Sequence, residues 1–332
     1  MVLVFHWAFR GNAGDKPSTF SYPAIDAVAR YGYLGVELFF VISGFVILMS
    51  ARSGVLRDFV VSRFVRLYPA FWVCCTLTLA VAWLIPDPHP AYQFTGAQYL
   101  VNMTMFSGFV GVPSIDGAYW SLFVEMRFYL MVAAVLALGW MGRIETLLWA
   151  WLIVATLQRV VRTGPLWHWL NAEYAPLFIA GAVLFLIHDR GWTPKRLALI
   201  LGAWGLAVHQ SMTMARSLTQ TYSTEISPVI AAIGVTMIFV VMAAVASNRL
   251  RVLRWRGWLP LGVLTYPLYL LHQAIGYLIL NRLGDKVPTA LLFWGLALTM
   301  VLAAWGVHRL IEKPMASWLR GRLRRPRAVI AA

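Results

Sequence analysis

Apolar blocks of about 17–25 residues follow one another along most of this chain, separated by short polar connections. A helix of that length crosses a hydrocarbon core of roughly 30 Å. Inside a bilayer every backbone N–H and C=O must be satisfied within its own segment or a closed barrel. Blocks this long therefore fold as helices. The polar surface needed for a water-soluble globule is also missing. Of 332 residues, 60% are hydrophobic and 12% charged, and mean hydropathy is +0.70. A soluble domain carries about 25% charged residues. The expected fold class is all-α: a polytopic integral membrane protein with about ten transmembrane helices.

The blocks place full spans at roughly 32–50, 62–85, 118–139, 144–161, 174–188, 196–213, 228–247, 259–281 and 289–311, with a weaker, interfacial or re-entrant helix near 96–110. Met1 to Phe9 is too short to cross and reads as the second half of a truncated first helix, with its first half expected upstream. No basic region precedes it, so it does not read as a cleavable signal peptide. Basic residues concentrate in alternate connections. The 51–66 segment carries Arg52, Arg57, Arg63 and Arg66. The 188–196 segment carries Arg190, Lys195 and Arg196. The 248–256 segment carries Arg249, Arg251, Arg254 and Arg256. By contrast, 86–117 has no Lys or Arg, and 214–227 has only Arg216. The 10–31 connection (Arg10, Lys16, Arg30) and the short 140–143 connection (Arg143) depart from the alternation. The positive-inside bias then puts the basic connections, and both termini, in the cytoplasm of a cell whose inner (plasma) membrane holds the protein. Residues 1–314 form the expected membrane domain, and 315–332 a basic cytoplasmic tail with Arg320, Arg322, Arg324, Arg325 and Arg327.

This arrangement also accounts for the net charge of +15 without nucleic acid, because the charge flanks spans rather than forming a stripe. The two cysteines, Cys74 and Cys75, are adjacent in one block and cannot form an ordinary structural disulfide. The seven histidines are scattered without ligand spacing, so no metal site is expected.

Charge inside a bilayer costs about 2.5–3.5 kcal/mol on insertion scales. Polar residues within the apolar blocks are therefore informative. They are His6 in VLVFHWAF, Glu37 in YLGVELFF, Glu125 and Arg127 in YWSLFVEMRFYL, and His272 in YPLYLLHQ. Each requires a polar interior. An imidazole such as His6 suits general-base work, although His6 and His272 are equally what helix-packing histidines look like. Glu37 and Glu125 suit either orienting a base and binding a substrate hydroxyl, or locking helices together. Arg127 is two residues from Glu125 and so lies on another helix face. Arg63 and Arg66 are three apart, on one face near the cytoplasmic side, where paired guanidinium groups fit phosphate. Ordinary flanking charge looks the same. Pro69 is expected to bend or start the helix there, and Ser43–Gly44 permits close helix approach.

Taken in order, FFVISGF, RFVRLYP, WSLFVEMRFYL, YPLYLLH and HRLIEKP resemble the acyltransferase-3 family of membrane O-acyltransferases over nearly the whole chain. The resemblance implies a ten-helix domain that takes an acyl group from acyl-CoA, acetyl by default, and passes it to a sugar hydroxyl. No permanently bound cofactor is implied, and acyl-CoA is the co-substrate. The expected partners are the lipid bilayer, acyl-CoA and a carbohydrate acceptor. His6 matches the family's essential histidine, and Glu37 stands where the family has an acidic residue before FFxxSGF. Arg63 and Arg66 match the RxxR pair. Trp120, Ser121, Glu125 and Tyr129 match WSLxxExxFY. Glu312, Lys313 and Pro314 match the closing EKP, implied to be structural. The candidate catalytic residues are thus His6, Glu37 and Glu125. The candidate substrate-binding residues are Arg63, Arg66, Trp120, Ser121 and Tyr129. Two departures stand out. The family's arginine about ten residues before the histidine has no counterpart here, and the SGNH-type domain that follows the last helix in many relatives is not in this sequence.

In the implied mechanism, Arg63 and Arg66 hold the nucleotide phosphates and the pantetheine arm threads inward. His6 deprotonates the acceptor hydroxyl, with Glu37 or Glu125 holding either the imidazole or the sugar. Alternatively, His6 carries the acyl group covalently. Two other classes fit the same residues less well. One is a transporter or flippase for a glycan precursor or small acyl compound, since buried charges also mark transport paths. The other is a membrane scaffold for glycan assembly.

Overall fold

A computed structural model describes residues 1–13, 17–87, 89, 92–161, 169–249 and 258–323. Lys16, Arg162, Arg251, Arg254, Arg256, Arg324, Arg325 and Arg327, part of the charge pattern above, lie outside these residues. The described residues form helices and turns without strands. The helices are α1 (Val2–Ala8), α2 (Pro23–Ala29), α3 (Leu34–Ser50), α4 (Leu56–Leu84), α5 (Gly96–Asn102), α6 (Trp120–Ala137) and α7 (Ile144–Val161). They continue as α8 (Ala175–Arg190), α9 (Pro194–Tyr222), α10 (Pro228–Ala246), α11 (Trp258–Leu271), α12 (Ala274–Leu283), α13 (Thr289–Val307) and α14 (Lys313–Leu323). A π-helical turn, His308–Glu312, joins the last two.

Several boundaries follow from local chemistry. Thr193 and Ser227 accept hydrogen bonds from the backbone N–H groups of Arg196 and Ile230, and a proline follows each at the first helical position. Each pair therefore caps one orphan donor and presets the first turn. Of the two expectations for Pro69, the helix start is not met. Pro69 lies buried inside α4, which starts upstream at Leu56 and runs through it. Arg63 and Arg66 are thus held on a formed helix rather than in a flanking loop.

Among the described residues, five helices are long and apolar enough to cross a bilayer alone, and two bent pairs, α2–α3 (41°) and α11–α12 (66°), raise the count to seven. The expectation of about ten transmembrane helices, the first truncated, is not reached by length. One reason is α8. At 16 residues it spans about 24 Å at 1.5 Å per residue, short of a hydrocarbon core. It is also buried on all sides from Ala175 to Ile187, the signature of a helix inside the protein rather than facing lipid. The outward helices differ. Val229, Ile233, Met237 and Val240 on α10 are exposed, as are Leu291, Trp294, Leu298 and Trp305 on α13. An apolar exterior around a packed interior is what a bilayer solvent selects. The expected domain boundary at 314/315 falls within α14, which is helical through Leu323.

The tightest crossing is that of α3 and α8. A Cβ on Gly44 would lie 2.3 Å from the Phe178 carbonyl oxygen, and one on Gly181 would lie 2.0 Å from that of Val41. Only glycine permits this approach, so the close packing expected at Ser43–Gly44 is present, with Gly181 as its partner.

The break between α11 and α12 falls at His272 and Gln273, so His272 is not inside a continuous span as the sequence suggested. A break leaves backbone groups that a bilayer interior cannot solvate. Side chains take them up. The Trp7 indole donates to the His272 carbonyl (2.8 Å), the Tyr119 hydroxyl to the Leu270 carbonyl (3.2 Å), and the Ala274 N–H to Asp116 Oδ2 (2.8 Å). The other Asp116 oxygen accepts the Ala118 N–H at 2.7 Å. Asp116 thus ties the connection before α6 to the broken helix.

Candidate functional site

His6 lies near the end of α1, buried, beside the broken α11–α12 pair. The Tyr277 hydroxyl, from α12, donates to the His6 carbonyl at 3.0 Å and lies 3.3 Å from His6 Nδ1. With the phenolic proton committed to the carbonyl, the ring contact assigns the hydrogen to Nδ1 and leaves the lone pair on Nε2. This replaces one sequence expectation. Neither Glu37 nor Glu125 holds the imidazole, because Tyr277, an unremarked residue in an apolar helix, occupies that place.

The second histidine repeats the arrangement. His272 Nδ1 is 2.8 Å from the Tyr269 carbonyl oxygen. A carbonyl only accepts, so Nδ1 carries the hydrogen. His272 Nε2 is buried and has no hydrogen-bond partner among the described residues. The two imidazoles meet edge to face, with ring centroids 5.1 Å apart and planes at 89°.

Two cavities flank this pair. The first, about 190 Å³, is lined by His6, Arg10, Glu37, Trp120 and Gln273 among aromatic side chains that include Phe40, Tyr174 and Tyr222. The second, about 600 Å³, is lined by His272, Glu125, Tyr129, Tyr266, Arg63 and Arg66, and its remaining wall is mostly aliphatic. Val2, Val36 and Tyr269 contribute to both. The second cavity has the size of a small-molecule or cofactor site. The sequence-predicted residues therefore separate into two groups: His6, Glu37 and Trp120 at the first cavity, and Arg63, Arg66, Glu125 and Tyr129 at the second.

Their local bonding differs. Glu37 and Gln273 each present a buried oxygen, Oε2 and Oε1, without a hydrogen-bond partner among the described residues. Glu125 is satisfied on one side, accepting from the Ser43 hydroxyl at 2.7 Å. Arg63 lies over the Tyr129 ring at 5.9 Å and Arg66 over the Tyr266 ring at 5.9 Å. Arg66 also donates to Glu312 Oε1 (2.9 Å), while His308 Nδ1 lies 2.8 Å from Glu312 Oε2. The buried Glu312 thus fixes one arginine at the mouth of the second cavity. The π turn aligns His308 with it. Ser121 stands behind the walls. It is fully buried, its hydroxyl engaged by Tyr269 at 2.6 Å, and among the described residues it lines neither cavity. Arg127 donates to Asn171 at 3.2 Å and stacks on Phe123, consistent with a helix face apart from Glu125. Among the described residues no group of three or more His, Cys, Asp or Glu stands close enough to hold a metal ion.

The contributions of Gln273, Tyr277 and Asp116 are not legible in the sequence. Gln273 follows His272 in YPLYLLHQ, and that adjacency of two polar residues in an apolar block was the available signal for the break. Tyr277 gave none.

Comparison with known proteins adds a family. The family model described as an acyltransferase domain, acyltransferase-3, matches residues 1–309. The chain is 24% identical over 327 residues to the exopolysaccharide production protein ExoZ of Rhizobium meliloti (strain 1021), covering 90% of this chain and 94% of that protein. It is 32% identical over 123 residues to nodulation protein 10 of Rhizobium leguminosarum bv. viciae, covering 31% of this chain and 32% of that protein. For this second relative the match therefore spans about a third of its length. No solved structure matches.

Proposed function

The chain belongs to the acyltransferase-3 family, and on that premise we propose that it moves an acyl group, acetyl by default, from cytoplasmic acyl-CoA to a sugar hydroxyl of a cell-surface or secreted glycan or a glycosylated small molecule. The observation that carries this reading is the pair of neighbouring cavities, one lined by His6 and the other by His272, whose rings are in contact. Group transfer between two substrates from opposite sides needs one reacting centre reachable from two chambers.

The larger chamber suits the donor. At about 600 Å³ it is the roomier of the two, mostly aliphatic and lined by Arg63 and Arg66, which suits a pantetheine arm and nucleotide phosphates. The smaller chamber suits the acceptor. Its walls are largely aromatic, and two of its buried oxygens, Glu37 Oε2 and Gln273 Oε1, have no hydrogen-bond partner among the described residues. A polyol supplies donors, and leaving a buried acceptor unpaired costs about 1–3 kcal/mol. His6 Nε2, its tautomer set by Tyr277, takes the proton of the attacking hydroxyl as general base. The relative named for exopolysaccharide production supports a glycan acceptor. The donor meets the site from the cytoplasm of the inner membrane and the acceptor from the outer side.

The test uses the full chain in lipid with radiolabelled acetyl-CoA and a mixed glycan pool. Wild type transfers label, and His6→Ala reduces transfer at least about 10²-fold, the low end for general-base loss, while remaining folded. Arg63→Ala and Arg66→Ala raise KM for acetyl-CoA. Full activity in His6→Ala refutes the role of His6. Absence of both turnover and donor binding in wild type refutes the function and favours a transporter.

A further inference from the structure

A histidine that only packs helices satisfies both ring nitrogens. His272 does not. Its Nδ1–H is spent on the Tyr269 carbonyl, and its Nε2 lone pair is buried without a partner. An unsatisfied polar atom of this kind costs about 1–3 kcal/mol and in a native structure calls for a role. The atom belongs to a residue that lines the larger cavity and touches His6.

Acyl transfer from a thioester leaves a problem that His6 does not solve. The acceptor O–H bond breaks and a C–O bond forms on one side, while the C–S bond breaks on the other and leaves a thiolate. The proton collected at His6 is in the wrong chamber. A thiolate released among aliphatic side chains is poorly solvated and re-attacks unless it is protonated.

Resting on the acyl-transfer reading, we infer that His272 carries this proton: the His6 ring, which makes no hydrogen bond to His272 in this structure, turns across the edge-to-face contact to pass it to His272 Nε2, and Nε2–H delivers it to the departing sulfur. The balance closes. The acceptor oxygen loses one proton and gains the acyl carbon. The sulfur loses the acyl carbon and gains that proton, and both imidazoles end neutral, with hydrogen on Nδ1 as they began.

Several other polar groups of the larger cavity are placed for different work. The Tyr269 hydroxyl donates to the Ala118 carbonyl (2.6 Å) and the Tyr266 hydroxyl to the Leu67 carbonyl (3.2 Å). Glu125 accepts from Ser43. The Tyr129 ring lies against Arg63, and its hydroxyl is engaged with Glu125. Guanidinium groups do not release protons.

The experiment exploits leaving-group chemistry. His272→Asn keeps an N–H at the position of Nδ1, so the bond to the Tyr269 carbonyl survives, and removes Nε2. The full chain in lipid is assayed with acetyl-CoA and with S-phenyl thioacetate, whose thiolate departs without protonation. The expected result is a kcat/KM about 10²- to 10⁴-fold below wild type with acetyl-CoA, and within about tenfold of it with the aryl thioester. CoA binding is unchanged, which certifies the fold. His272→Gln, with an amide near the Nε2 position, behaves the same way. His6→Asn is impaired with both donors, because the acceptor still needs its base. Equal deficits of His272→Asn with the two donors, or near-wild-type activity with acetyl-CoA, overturn the relay and leave the acyl-transfer reading standing. No turnover of either donor by wild type removes that reading, and the relay with it.

Discussion

Alanine at Gly181 tests the helix crossing on which both cavities depend. A Cβ there would lie 2.0 Å from the Val41 carbonyl oxygen, 2.7 Å from the Phe45 nitrogen and 2.9 Å from the Gly44 Cα. All three are backbone atoms of α3, so no side chain can swing aside. An unstrained carbon–oxygen contact is about 3.3 Å or more, and α3 must retreat from α8 by about 1 Å. Overpacking of this kind costs about 1–3 kcal/mol. The functional cost is larger in proportion, because α3 carries Glu37 on the smaller cavity and Ser43, whose 2.7 Å bond holds Glu125 on the larger. A misplacement of 1 Å lowers catalysis by about 10²-fold. The assay pairs thermal unfolding in detergent with acetyl transfer in lipid. The control is Gly295→Ala on α13, where an added Cβ meets no atom within 4 Å and helix propensity favours alanine by roughly 0.5–1 kcal/mol. Gly181→Ala is expected to melt below wild type and Gly295→Ala at or above it. If the two variants match in stability and activity, the close α3–α8 approach is wrong and the cavity geometry falls with it.

Two further outcomes are expected. Glu312→Gln removes the charge that fixes Arg66 and faces His308. Because Arg66 is partly exposed, its bond is screened, and KM for acetyl-CoA should rise by only about threefold to tenfold while kcat is kept. An unchanged KM would separate Arg66 from donor binding. Asp116, in the connection before α6, has its carboxyl pushed up from 3.8 to about 6 by burial, which outweighs the N–H groups of Ala274 and Ala118 and the charge of Arg10. A carboxyl raised on folding contributes stability in full below its ordinary value and loses it as pH rises through about 6. Melting temperatures of wild type relative to Asp116→Asn should therefore fall between pH 4 and pH 7, and a flat difference would refute the shift.

How far the sequence reached differs between residues. The apolar blocks gave every long helix, because 20-odd apolar residues have no other stable form in a bilayer. They did not give the crossings. At α8 the block is as apolar as a span, but it is 16 residues long and sheathed by protein, and hydropathy does not distinguish a lipid neighbour from a leucine. Pro69 does not start α4, because a proline penalty is local, whereas the packing that carries the helix through it is not. Arg63 and Arg66 were legible as a pair from their spacing of three. That Glu312, 246 residues on from Arg66, would hold one of them was not. Glu37 and Glu125 were identified as buried carboxylates, but their assignment to separate chambers depends on which way α3 and α6 face after packing.

The sequence by itself determined the solvent, the helical class, and the list of polar side chains that the interior must accommodate. Each follows from the cost of an unsatisfied or charged group in hydrocarbon, which is a property of composition and spacing. Only the tertiary structure decided that His6 and His272, 266 positions apart, touch; that Tyr277 sets the tautomer of one and the Tyr269 carbonyl that of the other; and that a cavity opens on each side of them. The break after Leu271 is held by Trp7 from α1 and by Asp116 and Tyr119 from the connection before α6. Hydrogen bonds of that kind join groups by position in space, and no local pattern along the chain encodes them.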